Sequence, residues 1–489
     1  RSAGVLVEVF SHWRCCGASF TLRALIRSMA DGRPRNCLCC RTAGMSTPNP
    51  SRGLRGLVTA VSTTPALGWT FVYFFCLLSG YYVLRPVREA MGAAADVAMV
   101  FPPSMIAWFA GIGMPLDKYI LQILFTCTFV IMLLLQPVYG WLVSRYPRRV
   151  FLPLVYGFFI GTLLLFHGLF DSQVAGRGMA FFLWLTVFNL FAVAVFWSFM
   201  ADIYSNVQAK AYYGYIGAAG TLGAFLGPVI TRTLVETVGI ANLMLISAAL
   251  LSVCVLCIVK LRPHAVAREQ RQQLASGEVP MGGEVWAGLK LIAREPLLRW
   301  LAVLMLFAVG VGTLLYNEQA AIVRAYYPDP AKATAFYANI DLAVNTLTLI
   351  VQLLITRALL SRFGIGPALL IPGFGIIVGF SILAASPLPI IVAIVQVITR
   401  SSEFSLGKPA RETIYTRVGR EWRYKSGAAI DTVVYRGGDL TFVWLHKLVA
   451  IAGSSAVFGL GVLVASGMTC AAWRVMGEEK KLAAERSED

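Results

Sequence analysis

An uncharged run of eighteen residues, LGWTFVYFFCLLSGYYVL from Leu67 to Leu84, is followed directly by Arg85-Pro86-Val87-Arg88-Glu89. A bilayer core about 30 Å thick requires roughly 20 apolar residues per helix, so the run has the length of a membrane span. Runs of this kind recur along the chain, and we count twelve. The sequence therefore predicts an all-α integral membrane protein with twelve transmembrane helices.

The composition agrees with a membrane protein. The 489 residues are 57% hydrophobic and 14% charged, with a mean hydropathy of +0.70, which lies outside the usual range of soluble domains. The net charge of +17 falls in short loops between the apolar runs, where it orients a protein in a membrane. We therefore expect the lipid bilayer, and no nucleic acid, as the macromolecular environment.

The predicted spans form two groups of six. They are 67–84, 119–141, 151–170, 179–200, 213–235, 241–259, 299–317, 339–360, 367–386, 388–404, 430–451 and 455–474. We number them spans 1 to 12. They divide the chain into an N-terminal half (67–260), a linker (261–298), a C-terminal half (299–474) and a charged tail (475–489). Val97 to Leu116 is apolar, but three prolines and two glycines interrupt it, so we expect an interfacial or re-entrant segment.

The segment before the first span has two interpretations. Residues 1–44 are rich in Arg, Ser and Cys and contain only Glu8 and Asp31 as acids, which is typical of an organelle transit peptide. Alternatively, translation starts at Met45 and residues 1–44 are not native. In either case we expect residues 1–66 to be a disordered cytoplasmic extension.

Basic residues alternate between the two sides of the predicted bundle. With the N-terminus inside, the cytoplasmic loops hold Arg145, Arg148, Arg149, Lys260, Arg262, Arg268, Arg271, Arg357, Arg362, Lys408, Arg411, Arg417, Arg420, Arg423 and Lys425. The outer loops hold far fewer, among them Arg177, Arg324 and Lys332. This distribution follows the positive-inside rule and predicts that both termini are cytoplasmic. We expect the membrane to be a bacterial inner membrane.

The two halves resemble each other. Leu142-Val-Ser-Arg-Tyr146 leaves span 2, and Leu359-Leu-Ser-Arg-Phe363 leaves span 8 at the corresponding place. Two duplicated six-helix halves are the plan of major facilitator transporters, whose substrate site lies between the halves. The segment from Gly140 to Arg149 also resembles the loop signature of that superfamily, with Ser144 and Pro147 as departures.

Charges at the ends of the apolar runs are the candidate site residues. Arg85 and Arg88 share a helix face, and Glu89 lies four residues after Arg85, where it can pair with it. Pro86 is expected to disturb the helix and free backbone groups. Because a guanidinium binds two oxygens at once, the pair predicts an anionic substrate. The alternative is that both arginines anchor the span end to lipid headgroups.

Further polar side chains outline a path through the bundle. They are Asp202 at the end of span 4, Glu318 at the end of span 7, Asp341, Asn345, Thr348 and Gln352 on one face of span 8, and Asp431, Arg436 and Asp439 on span 11. A polar stripe in an apolar helix lines water or a partner. For each residue alone, a structural ion pair is an equally good explanation.

No metal or cofactor site is expected. Cys254 and Cys257 have a redox or metal spacing, but no His or carboxylate accompanies them, and core packing explains them better. The glycines of span 5, Gly214, Gly217, Gly220, Gly223 and Gly227, are typical of close helix contact. That contact is either a sliding surface or a static one.

Four motifs identify a family resemblance. Leu84-Arg-Pro-Val-Arg88-Glu89, Phe196-Trp-Ser-Phe-Met-Ala-Asp202, Pro409-Ala-Arg411-Glu412 and Ile430-Asp-Thr-Val-Val-Tyr-Arg-Gly-Gly-Asp439 resemble the non-mitochondrial ATP/ADP translocases, over about residues 65–475. The resemblance implies that Arg88 stands at a lysine needed for nucleotide transport. It also places Asp202 and Glu318 at family glutamates and Lys425 at a basic position.

Departures from the plastid-type pattern at Pro86, Ala201 and Gly427 indicate the bacterial branch. We expect an alternating-access transporter for an organic anion, of the ATP/ADP exchange type, and not an enzyme, since no catalytic motif is present. The alternatives are a proton-coupled permease for a different solute, using Asp341 or Glu318, and a transport-inactive membrane sensor.

Overall fold

The computed structural model describes residues 65–145, 148–204, 206–273, 287–386, 388–417 and 430–488. The predicted N-terminal extension, the middle of the linker and Lys425 lie outside these residues. All described residues belong to one compact unit, Val61–Asp489. The described secondary structure is helical, as the apolar runs predict.

A helical segment corresponds to each predicted span. Spans 1 to 4 are Pro65–Gly92, Ile120–Arg145, Arg148–Asp171 and Arg177–Ile203, and spans 5 and 6 are the two arms of the helix Asn206–Gln273. Span 7 is Pro296–Tyr326, preceded by a short helix, Ala287–Arg294. Span 8 consists of Pro330–Val351, Gln352–Thr356 and Arg357–Phe363, and span 9 is Ile365–Ala385. Span 10 consists of Pro389–Ser402, Glu403–Gly407 and Lys408–Arg417. Span 11 consists of Ile430–Val434 and Tyr435–Val449, and span 12 is Ser454–Glu488.

Among the described residues, nine helices are long and apolar enough to cross a membrane. One of them, Tyr212–Val266, has 55 residues, which at 1.5 Å per residue is far longer than a bilayer is thick. It contains Gly239, whose φ of 81° and ψ of 165° are not helical, so the chain turns there and forms two spans. Ile120–Leu135 is a shorter apolar helix, and span 11 is too polar to meet the same criterion.

The interrupted segment after span 1 does not cross the membrane. It folds into two short helices, Val97–Val100 and Pro103–Gly111, and a 3₁₀ turn, Leu116–Lys118. Nine residues of helix extend only about 14 Å, less than half of the bilayer core. None of the residues of Pro103–Gly111 is buried. The chain therefore keeps the twelve-span topology that the sequence predicts.

Several helices continue past the apolar run that predicts their span. Span 1 runs through Pro86 to Gly92, so the expected disturbance at this proline does not end the helix. Span 7 continues to Tyr326, so Glu318 lies within the helix and not at its end. Helix also extends into the predicted linker as far as Gln273 and into the predicted tail. Charged residues are good helix formers, and such segments extend a helix beyond the run of apolar residues.

Glycines bring spans 1 and 5 into direct backbone contact. A Cβ atom added at Gly223 would lie 2.5 Å from the carbonyl oxygen of Phe75, and one at Gly227 would lie 2.5 Å from Cβ of Tyr82. Gly214 and Gly217, by contrast, have nothing within 4 Å of that position. Only part of the predicted glycine stripe is therefore a tight contact.

Each half has its own core. In the N-terminal half, the hydroxyl group of Tyr73 donates to that of Tyr156 over 2.8 Å, both rings are buried, and the ring of Tyr73 packs edge-on against Phe196. Cys254 and Cys257 are fully buried, as core packing predicts. The C-terminal half packs around residues such as Leu314 and Phe380. Large apolar side chains on the outside of the bundle are exposed, among them Leu134, Phe158, Leu353, Ile390 and Leu463.

The halves meet along a small set of spans. Span 2 packs on span 11, and span 8 packs on both span 1 and the long helix of spans 5 and 6. Asn345 of span 8 donates to the carbonyl oxygen of Ala224 of span 5 over 2.6 Å. The polar residues of spans 1, 8 and 11 therefore lie on the surfaces by which the halves meet.

Candidate functional site

A buried cluster of charged side chains lies where span 1 of one half faces span 8 of the other. Nε of Arg85 lies 3.5 Å from Oε1 of Glu89, and Nη2 of Arg88 donates to the same oxygen over 2.7 Å. The side chains of Arg85 and Arg88 are 15% and 17% exposed, and that of Glu89 is 5% exposed. The carboxylate of Glu89 therefore pairs with two guanidinium groups of its own helix.

Asp341 of span 8 joins this cluster across the boundary between the halves. Its Oδ1 lies 3.6 Å from Nη1 of Arg85 and 2.8 Å from Nη2 of Arg400 of span 10. The side chain of Asp341 is 2% exposed. Oδ2 of Asp341 has no hydrogen-bond partner among the described residues. A buried carboxylate of the C-terminal half thus bridges arginines of both halves.

Arg88 points toward spans 4 and 7. Its Nη1 lies 3.4 Å from Oγ1 of Thr186, and its guanidinium lies over the ring of Phe182, 5.2 Å from the centroid. Asp439 of span 11 is close enough to interact electrostatically with Arg88, and it pairs with Arg436 at 3.4 Å. Because Asp439 and Arg436 neutralise each other, their pair adds no net charge to the cluster.

These groups lie near the middle of the bundle. We call the side that holds residues 93–119, 327–329 and 450–453 the predicted outer face. Asp341 lies eleven residues after Pro330 and Arg400 eleven residues after Pro389, and both helices start at that face. Eleven residues of helix are about 16 Å long, which is roughly half of the hydrocarbon thickness. Asp341 and Arg400 therefore lie well inside their helices, whereas Arg88 lies four residues before the end of span 1 at Gly92.

The structure brings only some of the predicted site residues together. Arg85, Arg88, Glu89 and Asp341 form the cluster, with the Arg436–Asp439 pair beside it. Three of the other predicted residues have contacts elsewhere: Asn345 donates to span 5, Glu318 contacts His446, and Arg411 pairs with Glu403. Asp202 lies at the end of span 4, and Asp431 lies in the first turn of span 11. Lys425 lies outside the described residues.

Two of these predicted residues form ion pairs away from the cluster. Oε1 of Glu318 lies 2.8 Å from Nε2 of His446, and both side chains are buried between spans 7 and 11. Nη2 of Arg411 lies 2.9 Å from Oε1 of Glu403, on the same span. Neither pair contacts the central cluster in the described geometry.

Sequence reasoning missed Arg400 and His446. Arg400 lies in the run Val395-Gln-Val-Ile-Thr-Arg400, near the predicted end of span 10 at 404, where a basic residue is ordinary. Its contact with Asp341 of span 8 follows only from the fold. His446 follows Trp444 and Leu445 with no acidic neighbour in sequence, so only the fold reveals its contact with Glu318.

Hydrogen bonds connect the two halves near the predicted outer face. Nζ of Lys447 donates to the carbonyl oxygen of Lys118 over 2.6 Å, and Nη1 of Arg324 donates to that of Asp117 over 2.9 Å. Nε1 of Trp444 donates to Oγ1 of Thr126 over 3.1 Å. These bonds join the start of span 2 to spans 7 and 11, between the charge cluster and that face.

The comparisons with known proteins agree with this architecture. The model of the Major Facilitator Superfamily matches residues 116–407, which is more than half of the chain. The chain belongs to the Major Facilitator Superfamily. It is similar to the solved structures of two transporters of the POT family. PepTSo has a TM-score of 0.53 at 14% identity, covering 86% of this chain and 98% of that one. A POT family transporter in complex with 5-aminolevulinic acid has a TM-score of 0.54 at 12% identity, covering 85% and 96%.

A curated relative of this major facilitator protein is ADP,ATP carrier protein 1 of Chlamydia trachomatis serovar D. The two are 21% identical, and the match covers 75% of this chain and 79% of the carrier. The fold class predicted from the apolar runs is confirmed, and the relative supports the resemblance to ATP/ADP translocases. The protein is a multi-pass membrane protein of a transporter family.

Proposed function

We propose that this protein is an alternating-access transporter that exchanges phosphorylated organic anions, in the way that an ATP/ADP translocase exchanges nucleotides. The observation that carries the proposal is the charge balance of the buried cluster. Among the described residues of the cluster, Arg85, Arg88 and Arg400 face the two carboxylates Glu89 and Asp341. One positive charge is left over, and burying an uncompensated charge is costly. An anionic ligand would neutralise it.

Arginine is well suited to bind phosphate, because its planar fork presents paired N–H donors. A phosphate oxygen could take the place that Oδ1 of Asp341 occupies between Arg85 and Arg400. When no substrate is bound, the carboxylate of Asp341 then offsets part of the positive charge of the two arginines, which allows them to remain buried. Exchange of this carboxylate for substrate would change the bond between the halves, because Arg85 and Asp341 belong to different halves.

The identity of the anion rests on the resemblance. The chlamydial relative is named as an ADP,ATP carrier. Arg88 stands where the plastid-type carriers that it resembles have a lysine, so the positive charge at this position is retained. We therefore propose a nucleotide as the substrate. We also propose the bacterial inner membrane, with both termini cytoplasmic, as its location.

The proposal predicts that Arg88→Gln abolishes nucleotide exchange and that Arg88→Lys retains part of it. A hydrogen bond to a charged group contributes about 1.5–3 kcal/mol, which corresponds to roughly a 10- to 150-fold loss of affinity. The measurement is uptake of labelled ATP into proteoliposomes loaded with ADP, with phosphate, or with buffer alone. Arg232→Gln is the matched control, because Arg232 forms an exposed pair with Glu236 on the outside of the bundle. Wild-type exchange by Arg88→Gln would refute the proposal.

A proton-coupled permease is the second candidate function. The buried pair of Glu318 and His446 favours it, because a carboxylate and an imidazole within the membrane can carry a proton. The two candidates differ in their energy source. Uptake into loaded proteoliposomes that persists with an uncoupler supports exchange, and uptake that an uncoupler abolishes supports the permease.

A further inference from the structure

Two facing helix stripes continue from the charge cluster toward the predicted outer face. On span 8, Tyr337 lies one turn before Asp341, on the same face. On span 10, Gln396 lies one turn before Arg400, on the same face, and Thr399 lies three residues after Gln396, beside it. The two faces meet at the 2.8 Å contact between Asp341 and Arg400, and both helices run in the same direction. Tyr337 and Gln396 are therefore at the same depth.

These side chains are buried and uncharged, and each has one polar atom that finds no hydrogen-bond partner among the described residues. Tyr337 is 3% exposed, Gln396 is 4% exposed and Thr399 is 7% exposed. The hydroxyl oxygens of Tyr337 and Thr399 and Oε1 of Gln396 have no hydrogen-bond partner among the described residues. Buried polar groups without a partner are rare in native proteins, and each needs an explanation.

The hydroxyl group of Thr399, like that of Thr348 on span 8, differs from those of two other buried threonines of the bundle in having no hydrogen-bond partner among the described residues. Thr128 and Thr186 donate to the carbonyl oxygen four residues earlier, over 2.7 and 2.8 Å, which is the usual way to satisfy a hydroxyl within an apolar helix. Thr399 makes no such bond. Its hydroxyl is available to a ligand at the place where the cluster meets span 10.

We infer that spans 8 and 10 hold a second, uncharged subsite, formed by Tyr337, Gln396 and Thr399, which binds the hydroxyl-bearing organic part of the phosphorylated substrate. The inference rests on the proposed function, because the arginines would hold the phosphate groups beside it. The chemistry of the groups supports the assignment. Oε1 of Gln396 only accepts hydrogen bonds, and a fully ionised phosphate has no donor to offer. A sugar hydroxyl or an exocyclic amine of a base has one.

The test compares two ligands that share a phosphate chain. ATP carries a triphosphate and a nucleoside, whereas tripolyphosphate carries only the phosphate chain. Binding of each is measured on the purified full-length protein in detergent, from the rise in unfolding temperature with ligand concentration. The variants are Thr399→Val and Tyr337→Phe, each of which removes one hydroxyl group and little volume. The unfolding temperature without ligand reports whether each variant is folded, and either variant alone suffices.

We expect each variant to weaken ATP binding by about 3- to 10-fold, since a neutral hydrogen bond contributes about 0.5–1.5 kcal/mol, and to leave tripolyphosphate binding unchanged. Thr128→Val is the control, because Thr128 is equally buried but its hydroxyl is satisfied by its own helix. Unchanged ATP binding in both variants would overturn the subsite, as would an equal loss for both ligands. If the wild-type protein binds neither ligand, the phosphate site and the subsite fail together. If the wild-type protein binds both ligands but the variants do not lose ATP binding selectively, the subsite is wrong and the phosphate site is still supported.

Discussion

Replacing Asp341 by Asn tests the role of the carboxylate that joins the two halves. The change removes the negative charge between Arg85 and Arg400 and keeps the shape of the side chain. At an effective dielectric constant of about 20, charge centres about 4 Å apart attract each other by about 4 kcal/mol. The free energy needed to remove both charged groups from water offsets part of this attraction. Removing only one partner of a buried ion pair nevertheless destabilises a protein by about 3–5 kcal/mol, because the other charge remains buried.

We therefore expect Asp341→Asn to lower the unfolding temperature by about 6 °C or more, at about 2 °C per kcal/mol for a large domain. Arg400 then loses the carboxylate that it contacts, and Arg85 keeps only Glu89. Added pyrophosphate should therefore restore much of the loss, and it should stabilise the wild-type protein less. The assay is thermal unfolding of the purified protein with and without pyrophosphate. Glu236→Gln is the control, since the exposed Arg232–Glu236 pair contributes little.

Two results would refute this reasoning about Asp341. If Asp341→Asn unfolds at the same temperature as Glu236→Gln, the cross-half pair contributes nothing to this conformation. If the variant is destabilised but pyrophosphate restores nothing, the arginines do not bind an anion at the place of the carboxylate. The second result would also argue against the phosphate site itself.

Two further predictions concern packing. Gly223→Ala should lower the free energy of unfolding by about 1–3 kcal/mol, because the added methyl group meets the backbone of Phe75, whereas Gly217→Ala should have no such effect; a thermal shift assay of both variants checks this. His446→Leu should lower the free energy of unfolding by about 1–3 kcal/mol, because it leaves Oε1 of Glu318 buried without the contact to His446. The double variant Glu318→Leu/His446→Leu should recover part of this loss. Equal stability of the wild type and both variants would contradict the pair.

The candidate site was predicted in part. Arg85, Arg88, Glu89 and Asp341 stand out in the sequence, because a charge inside or beside an apolar run is expensive and therefore conspicuous. Arg400 does not stand out, because it lies close to the predicted end of its run. Asn345 and Glu318 stand out as clearly as Asp341, yet the structure places them in contacts between helices. Sequence gives the cost of burying a polar group, but it does not give the partner that offsets this cost.

The sequence by itself determined the twelve spans and the two halves. Hydrophobic length and helical periodicity are local properties, and a bilayer converts them directly into topology, even for the segment between spans 1 and 2. Only the tertiary structure decided which charges meet. Arg85, Asp341 and Arg400 are more than 300 residues apart at the extremes, and they lie on three different helices. Their contact depends on the depth of each residue and on the face by which each helix packs, and neither is written in the hydrophobic pattern of a single span.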